Sequence, residues 1–252
     1  MKINKGKSLC VFGVKGGTGK STLVLNLAGV YSLLGYKVLI IDFDLTGGSI
    51  ALHLNKNANK TIYNFVDDYN NNRFESIKNY VTQYNDNIDY IPSPKDPRQA
   101  NKIDNKYADI LIEKATFAYD IVLIDTNHIL DSTNLNILDK VDKILFNVTN
   151  DVYDLKNIRS MISIFSDLSI NKYKILLNMS TNPYKKYYSN YDIKNIIKTN
   201  IDYTLSGKLF LKNIDDYIMK GEIISLNPSF KDKYKKEFTT LKLICEDTLK
   251  EN

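Results

Sequence analysis

The chain has 252 residues, 43% of them hydrophobic and 25% charged, which is enough to bury a substantial core and reads most simply as one domain spanning residues 1–252. Its net charge of +5, carried mainly by lysine, permits a polyanionic partner without demanding one. Two cysteines far apart, Cys10 and Cys245, exclude a disulfide framework or a cysteine metal cluster, and no apolar run approaches the ~20 residues of a membrane span, so the expected setting is the cytoplasm. In chain order, Ser8 to Val14 reads as a buried strand, and Ser21 to Leu34 as a helix with Leu23, Leu27, Val30 and Leu34 on one face, closed by Gly35. Lys37 to Phe43 is a strand of almost unbroken apolar character, as parallel strands covered on both faces require. Further strands are expected at Ile88 to Ile91, Tyr119 to Ile124, Lys143 to Val148, Tyr173 to Met179 and Lys208 to Leu211. Helical spacing separates most of them, as in Leu155, Ile158, Ile162 and Phe165. That alternation predicts an α/β fold, a three-layer doubly wound, mostly parallel sheet with helices on both faces. Asp67 to Asn72 and Pro92 to Pro97 are expected to be exposed loops.

Between the first strand and the first helix lies Gly13-Val14-Lys15-Gly16-Gly17-Thr18-Gly19-Lys20-Ser21-Thr22. Glycines let successive backbone N–H groups converge on phosphate oxygens, and the following helix aims the positive end of its dipole at the same charge. Lys20 can then reach the β- and γ-phosphates, and Ser21 can ligate Mg2+. The usual phosphate loop has a glycine where this chain has Val14, and a second lysine, Lys15, follows it. That spacing, K-G-G-x-G-K-[ST], is the deviant Walker A loop and resembles the ParA/MinD family of ATPases. The resemblance implies a P-loop NTPase fold, ATP and Mg2+ as cofactors, and an ATP-dependent homodimer across which Lys15 reaches the partner's nucleotide. It makes Lys15, Gly16, Gly17, Thr18, Gly19, Lys20, Ser21 and Thr22 the nucleotide-binding residues.

The strand Lys37 to Phe43 delivers Asp42 and Asp44 to its C-terminal end, where open α/β sheets bind ligands. On the resemblance, Asp44 orients the attacking water and Asp42 lies near the metal. The apolar run Ile121-Val122-Leu123-Ile124 ends in Asp125, the Walker B form, which the resemblance implies holds Mg2+. Relatives usually continue with small residues or proline; this chain has Thr126-Asn127-His128. His128 could approach the γ-phosphate or serve as a solvated or capping residue, and no catalytic role is assigned to it. Asn178 matches an asparagine that in the family often recognises adenine, a task an amide can perform by donating and accepting together. It reads equally well as an ordinary strand-end asparagine.

Within the family, the run Asp42 to Leu52, the segment Ile91 to Pro97 and Asn213-Ile214-Asp215-Asp216-Tyr217 look most like the CpaE/TadZ branch, which positions pilus-assembly machinery. Partition ATPases and MinD-type regulators are close competitors, and a dimeric nucleotide-binding scaffold with little hydrolysis is a further alternative. Expected partners are a second copy of the chain and a cargo or activating protein. Non-specific DNA would need a basic surface such as Lys231, Lys233, Lys235 and Lys236. A membrane would need a terminal amphipathic helix; the stripe Tyr234, Phe238, Leu241 and Cys245 is better explained by packing on the sheet. A tyrosine-kinase reading is set aside, because the group Tyr184, Tyr187 and Tyr188 is internal.

Overall fold

The computed structural model describes residues 5–181 and 188–250, so Tyr184 and Tyr187 lie outside the described residues. Strand β1 (Lys7–Phe12) runs into the glycine loop, α1 (Lys20–Leu33) returns across the sheet, and β2 (Val38–Phe43) follows. Two helices, α2 (Ile50–His53) and α3 (Ile62–Asn70), precede β3 (Thr82–Gln83) and β4 (Ile88–Ile91). Then α4 (Lys106–Thr116) leads to β5 (Ile121–Thr126), and α5 (Ser132–Lys140) to β6 (Lys143–Val148). In the same way α6 (Val152–Asp167) leads to β7 (Tyr173–Asn178), and α7 (Asn190–Ile197) to β8 (Tyr203–Leu205). Helices α8 (Ile214–Lys220), α9 (Phe230–Lys233) and α10 (Lys235–Leu249) end the described chain.

Among the described residues, eight strands join one sheet in the order β3-β4-β2-β5-β1-β6-β7-β8. Every pairing is parallel except that of β3 with β4. Alternation along each strand feeds two apolar layers, because successive side chains leave opposite faces. Cys10, Phe12, Ile41, Val122 and Ile124 pack with Phe65, Leu111, Ile137, Leu155 and Ile193 from helices α3 to α7. Leu9, Val11, Ile40 and Leu123 pack on the other face with Leu27 of α1, Phe230 of α9 and Leu241 of α10. The doubly wound, three-layer sheet is therefore the one the sequence predicts.

Four local features differ from the sequence reading. Helix α1 is buried nearly all round, from Leu23 to Tyr31, because the sheet covers one side and the segment around Ile223 to Ser225 crosses the other. The crossing is close: a β-carbon on Gly29 would stand 2.2 Å from Ser225 Oγ, which donates a hydrogen bond to the Asn26 carbonyl. The run Lys208 to Leu211 is not a strand. The strand comes earlier, at Tyr203–Leu205, and Ser206 Oγ accepts the Lys208 N–H to start a tight 3-10 turn over Gly207–Leu209. Asp67 to Asn70, expected in a loop, complete α3, with Arg73 tying down Asp67 and Asp68. Pro92 to Pro94, also expected to be exposed, are buried; Ser93 packs where a β-carbon on Gly48 would stand.

Candidate functional site

The parallel strands β2, β5 and β1 lie side by side, and the residues that the sequence singles out lie at their C-terminal ends. Asp42 pairs in register with Asp125, and Phe43 with Thr126, so two carboxylates from adjacent strands meet at one rim. The glycine loop leaves β1 beside them. Gly17 and Gly19 take φ of 72° and 81°, left-handed angles that cost a side-chain-bearing residue strain. Two buried amides pin the loop from behind: Asn147 Nδ2 donates to the Thr18 carbonyl at 2.8 Å and Asn178 Nδ2 donates to the same oxygen at 3.2 Å. Asn147 escaped the sequence reading, although an amide inside the apolar run Lys143 to Val148 was the available signal.

Lys20 points inward and is only 8% exposed, its ammonium 3.5 Å from the Lys15 carbonyl. Burial lowers its pKa, opposed by the charges of Asp125 and Asp44. Asp125 is buried, and neither of its oxygens has a well-formed hydrogen bond to another described residue. Burial pushes its carboxyl up to about 6, with the Ser21 hydroxyl and the Lys20 ammonium pulling the other way. A buried carboxylate with open oxygens beside a hydroxyl suits a hard cation that keeps its own water. Among the described residues no group of three or more His, Cys, Asp or Glu could hold a metal.

The first pair of acids divides its work. Asp42 Oδ1 accepts the Asp44 N–H at 3.2 Å, and its Oδ2 accepts the Ile50 N–H at 3.1 Å. Burial, then the neighbouring Asp125, holds the Asp42 carboxyl well above the usual carboxylate range. Asp42 thus folds the loop after β2, whereas Asp44, half-buried, accepts the Gly47 N–H at 3.0 Å and lines the cavity.

That cavity has a volume of about 490 Å3, within the range of small-molecule sites. Its lining is polar in part, from Gly16 to Thr22, Asp44, Thr126 and His128, and apolar in part, including Leu209, Phe210, Leu211 and Ile214. The apolar wall is the segment that sequence reading made a strand. Asn178 borders the cavity, but its amide is engaged within the protein, donating to Thr18 and accepting from the N–H and hydroxyl of Ser180. Lys15 does not line that cavity. Its ammonium is 3.0 Å from Asp151 Oδ2, which holds that carboxyl below the usual range, and it borders a second, adjoining cavity of about 210 Å3 with Thr149 and Asn150, of which Gly16, Gly17 and Thr18 form a shared wall.

A family model described as an AAA domain matches residues 6–179. The septum site-determining protein MinD of Helicobacter pylori is 28% identical over 160 residues, which are 64% of this chain and 59% of that protein. The chain belongs to the ParA/MinD family. The matched region spans less than two thirds of that relative. Solved structures of the family share the fold: the ParA family ATPase from Chlorobium tepidum TLS superposes with a TM-score of 0.81 at 17% identity, covering 95% of this chain and 98% of that one. MinD from Pyrococcus horikoshii OT3, complexed with Mg-ADP, gives 0.76 at 18% identity, covering 97% and 96%.

Proposed function

We propose that the chain is an ATP-dependent switch that binds ATP with Mg2+ in the larger cavity, pairs with a second copy of itself and hydrolyses the nucleotide slowly to part again. The observation that carries this reading is the position of Lys15. The residue that distinguishes the loop from an ordinary phosphate cradle is not among those lining the larger cavity; its side chain is 41% exposed and paired with Asp151, an ion pair it would exchange for a neighbour's phosphate. Two nucleotides brought together at an interface repel, and a lysine crossing from each chain offsets that repulsion.

The roles of the other residues follow from their chemistry. The loop N–H groups and the α1 terminus receive the phosphates, Lys20 neutralises them in a dry setting, and the apolar wall Leu209 to Leu211 takes the base. Ser21 and Asp125 are the groups that would hold Mg2+, which when bound neutralises charge on the phosphates. Asp42 keeps the loop after β2 folded, and Asp44 orients the attacking water. MinD from Pyrococcus horikoshii was solved with Mg-ADP, and Aquifex aeolicus MinD in a complex with MinC, which supports the cofactors and a protein partner.

The task of such a switch is to position or partition a cargo, with the CpaE/TadZ-like resemblance of Asp42 to Leu52 favouring pilus localisation. A DNA-riding partition role draws support from the exposed Lys231, Lys233, Lys235 and Lys236 on α9 and α10; binding of this kind weakens steeply with salt. Among the described residues no helix is long and apolar enough to cross a membrane. The central test is Lys15→Ala: it should keep nucleotide binding but lose ATP-dependent dimerisation in light scattering, and normal dimerisation would refute the crossed-lysine reading.

A further inference from the structure

The chain has two histidines, His53 and His128, and both border the larger cavity. His53 is already committed, its Nδ1 lying 2.8 Å from the Ser49 carbonyl one turn earlier. His128 is not bound in this way. Its imidazole lies over the phosphate loop, with Cε1 and Nδ1 each 3.6 Å from where a β-carbon on Gly16 would stand.

We propose that His128 contacts the terminal phosphate of bound ATP and so lets the site distinguish triphosphate from diphosphate. Two independent placements lead there. The first is the end of the loop involved. The P-loop lysine reaches the β- and γ-phosphates, and the Lys20 ammonium lies at the Lys15 carbonyl, immediately before the glycine that His128 covers. Asp44 and Thr126 line the same cavity.

The second is the construction of the loop that carries the imidazole. Asn134 is 1% exposed, and its Nδ2 donates to Asn127 Oδ1 at 2.7 Å and to the Ile129 carbonyl at 2.6 Å. Asn127 Oδ1 also accepts the Ile129 N–H at 2.8 Å, so the residues on both sides of His128 are fixed by one buried amide. On the strand side, the Thr126 hydroxyl donates to the Val11 carbonyl of β1 at 3.2 Å. An exposed side chain whose flanking residues are held this firmly beside a phosphate loop is presented to a ligand rather than left to solvent. An imidazole N–H can donate to a phosphate oxygen, and the group is lost as a contact when that phosphate leaves.

The inference rests on the ATP reading of the cavity, and one titration series separates the two. Affinities of the 252-residue chain for Mg2+ with ADP and for Mg2+ with a non-hydrolysable ATP analogue are measured by competition against a fluorescent nucleotide, for wild type and His128→Ala. A hydrogen bond to a charged group is worth roughly tenfold in affinity. His128→Ala should weaken the triphosphate by about that factor while ADP changes less than about twofold. Equal effects on both nucleotides, or none, overturn the role of His128 and leave the ATP site standing. If wild type binds neither nucleotide, both readings fall together.

Discussion

Asp125 concentrates the electrostatics of the rim in one side chain. Burial raises its carboxyl to about 6, so its ionised form is a cost to the fold rather than a gain. The sign follows from proton binding. Between about pH 6 and the ordinary carboxylate range near 4, the native chain holds a proton that the unfolded chain lacks, so this group stabilises the fold as pH falls through that window. Asp125→Asn should flatten that part of the melting-temperature profile recorded without metal, and should abolish the Mg2+ dependence of ATP binding at neutral pH. A variant with the wild-type profile would show that the carboxyl is not strained by its burial. Lys20, Ser21, Asp44 and Asp125, which the fold brings to one rim, were marked out in the sequence by local signals: a spacing of glycines, a hydroxyl after a lysine, an acid at the end of an apolar strand. Asn147 and the wall Leu209 to Leu211 were not, because their roles exist only once β6, β8 and the glycine loop are neighbours. The adenine assignment of Asn178 was readable as a residue type, but its amide is already spent on Thr18 and Ser180.

At the scale of elements, the loop between β2 and α2 is set by contacts that forbid side chains. A β-carbon on Gly48 would stand 1.8 Å from Ser93 Oγ and 2.7 Å from Asp42 Oδ2. Gly48→Ala must therefore displace either the segment after β4 or the carboxylate that folds this loop. The expected result is a fall in phosphate release of at least about tenfold, the scale on which small misplacements of catalytic groups act, with ADP affinity nearly retained because the glycine loop is untouched. Loss of ADP binding as well would mean that the disturbance spreads beyond the β2 rim. The strands β1, β2 and β4 to β7 were legible as short apolar runs, and α6 by its 3.6-residue spacing, whereas β3, only two residues long, left no such run. The exceptions share a cause. Lys208 to Leu211 is apolar because it walls a cavity, Pro92 to Pro94 are buried under the β2 loop, and α1 has no polar face to betray its orientation.

For the whole molecule, the proposed cycle joins two chains through the rim that bears Lys15 and parts them through the water that Asp44 orients. Asp44→Ala should bind ATP, form the pair and fail to release it, eluting as a stable dimer in gel filtration with ATP and Mg2+. Phosphate release equal to wild type would remove Asp44 from the reaction. The sheet's two borders bear on what kind of assembly can form. β3 has two residues and β8 has three, so neither border offers more than a short row of open backbone groups to an incoming strand. Lateral growth, sheet upon sheet, therefore has little to grip, whereas a contact in which each chain offers the other the same rim closes on itself. Architecture alone thus favours a pair that opens and shuts over a filament that lengthens.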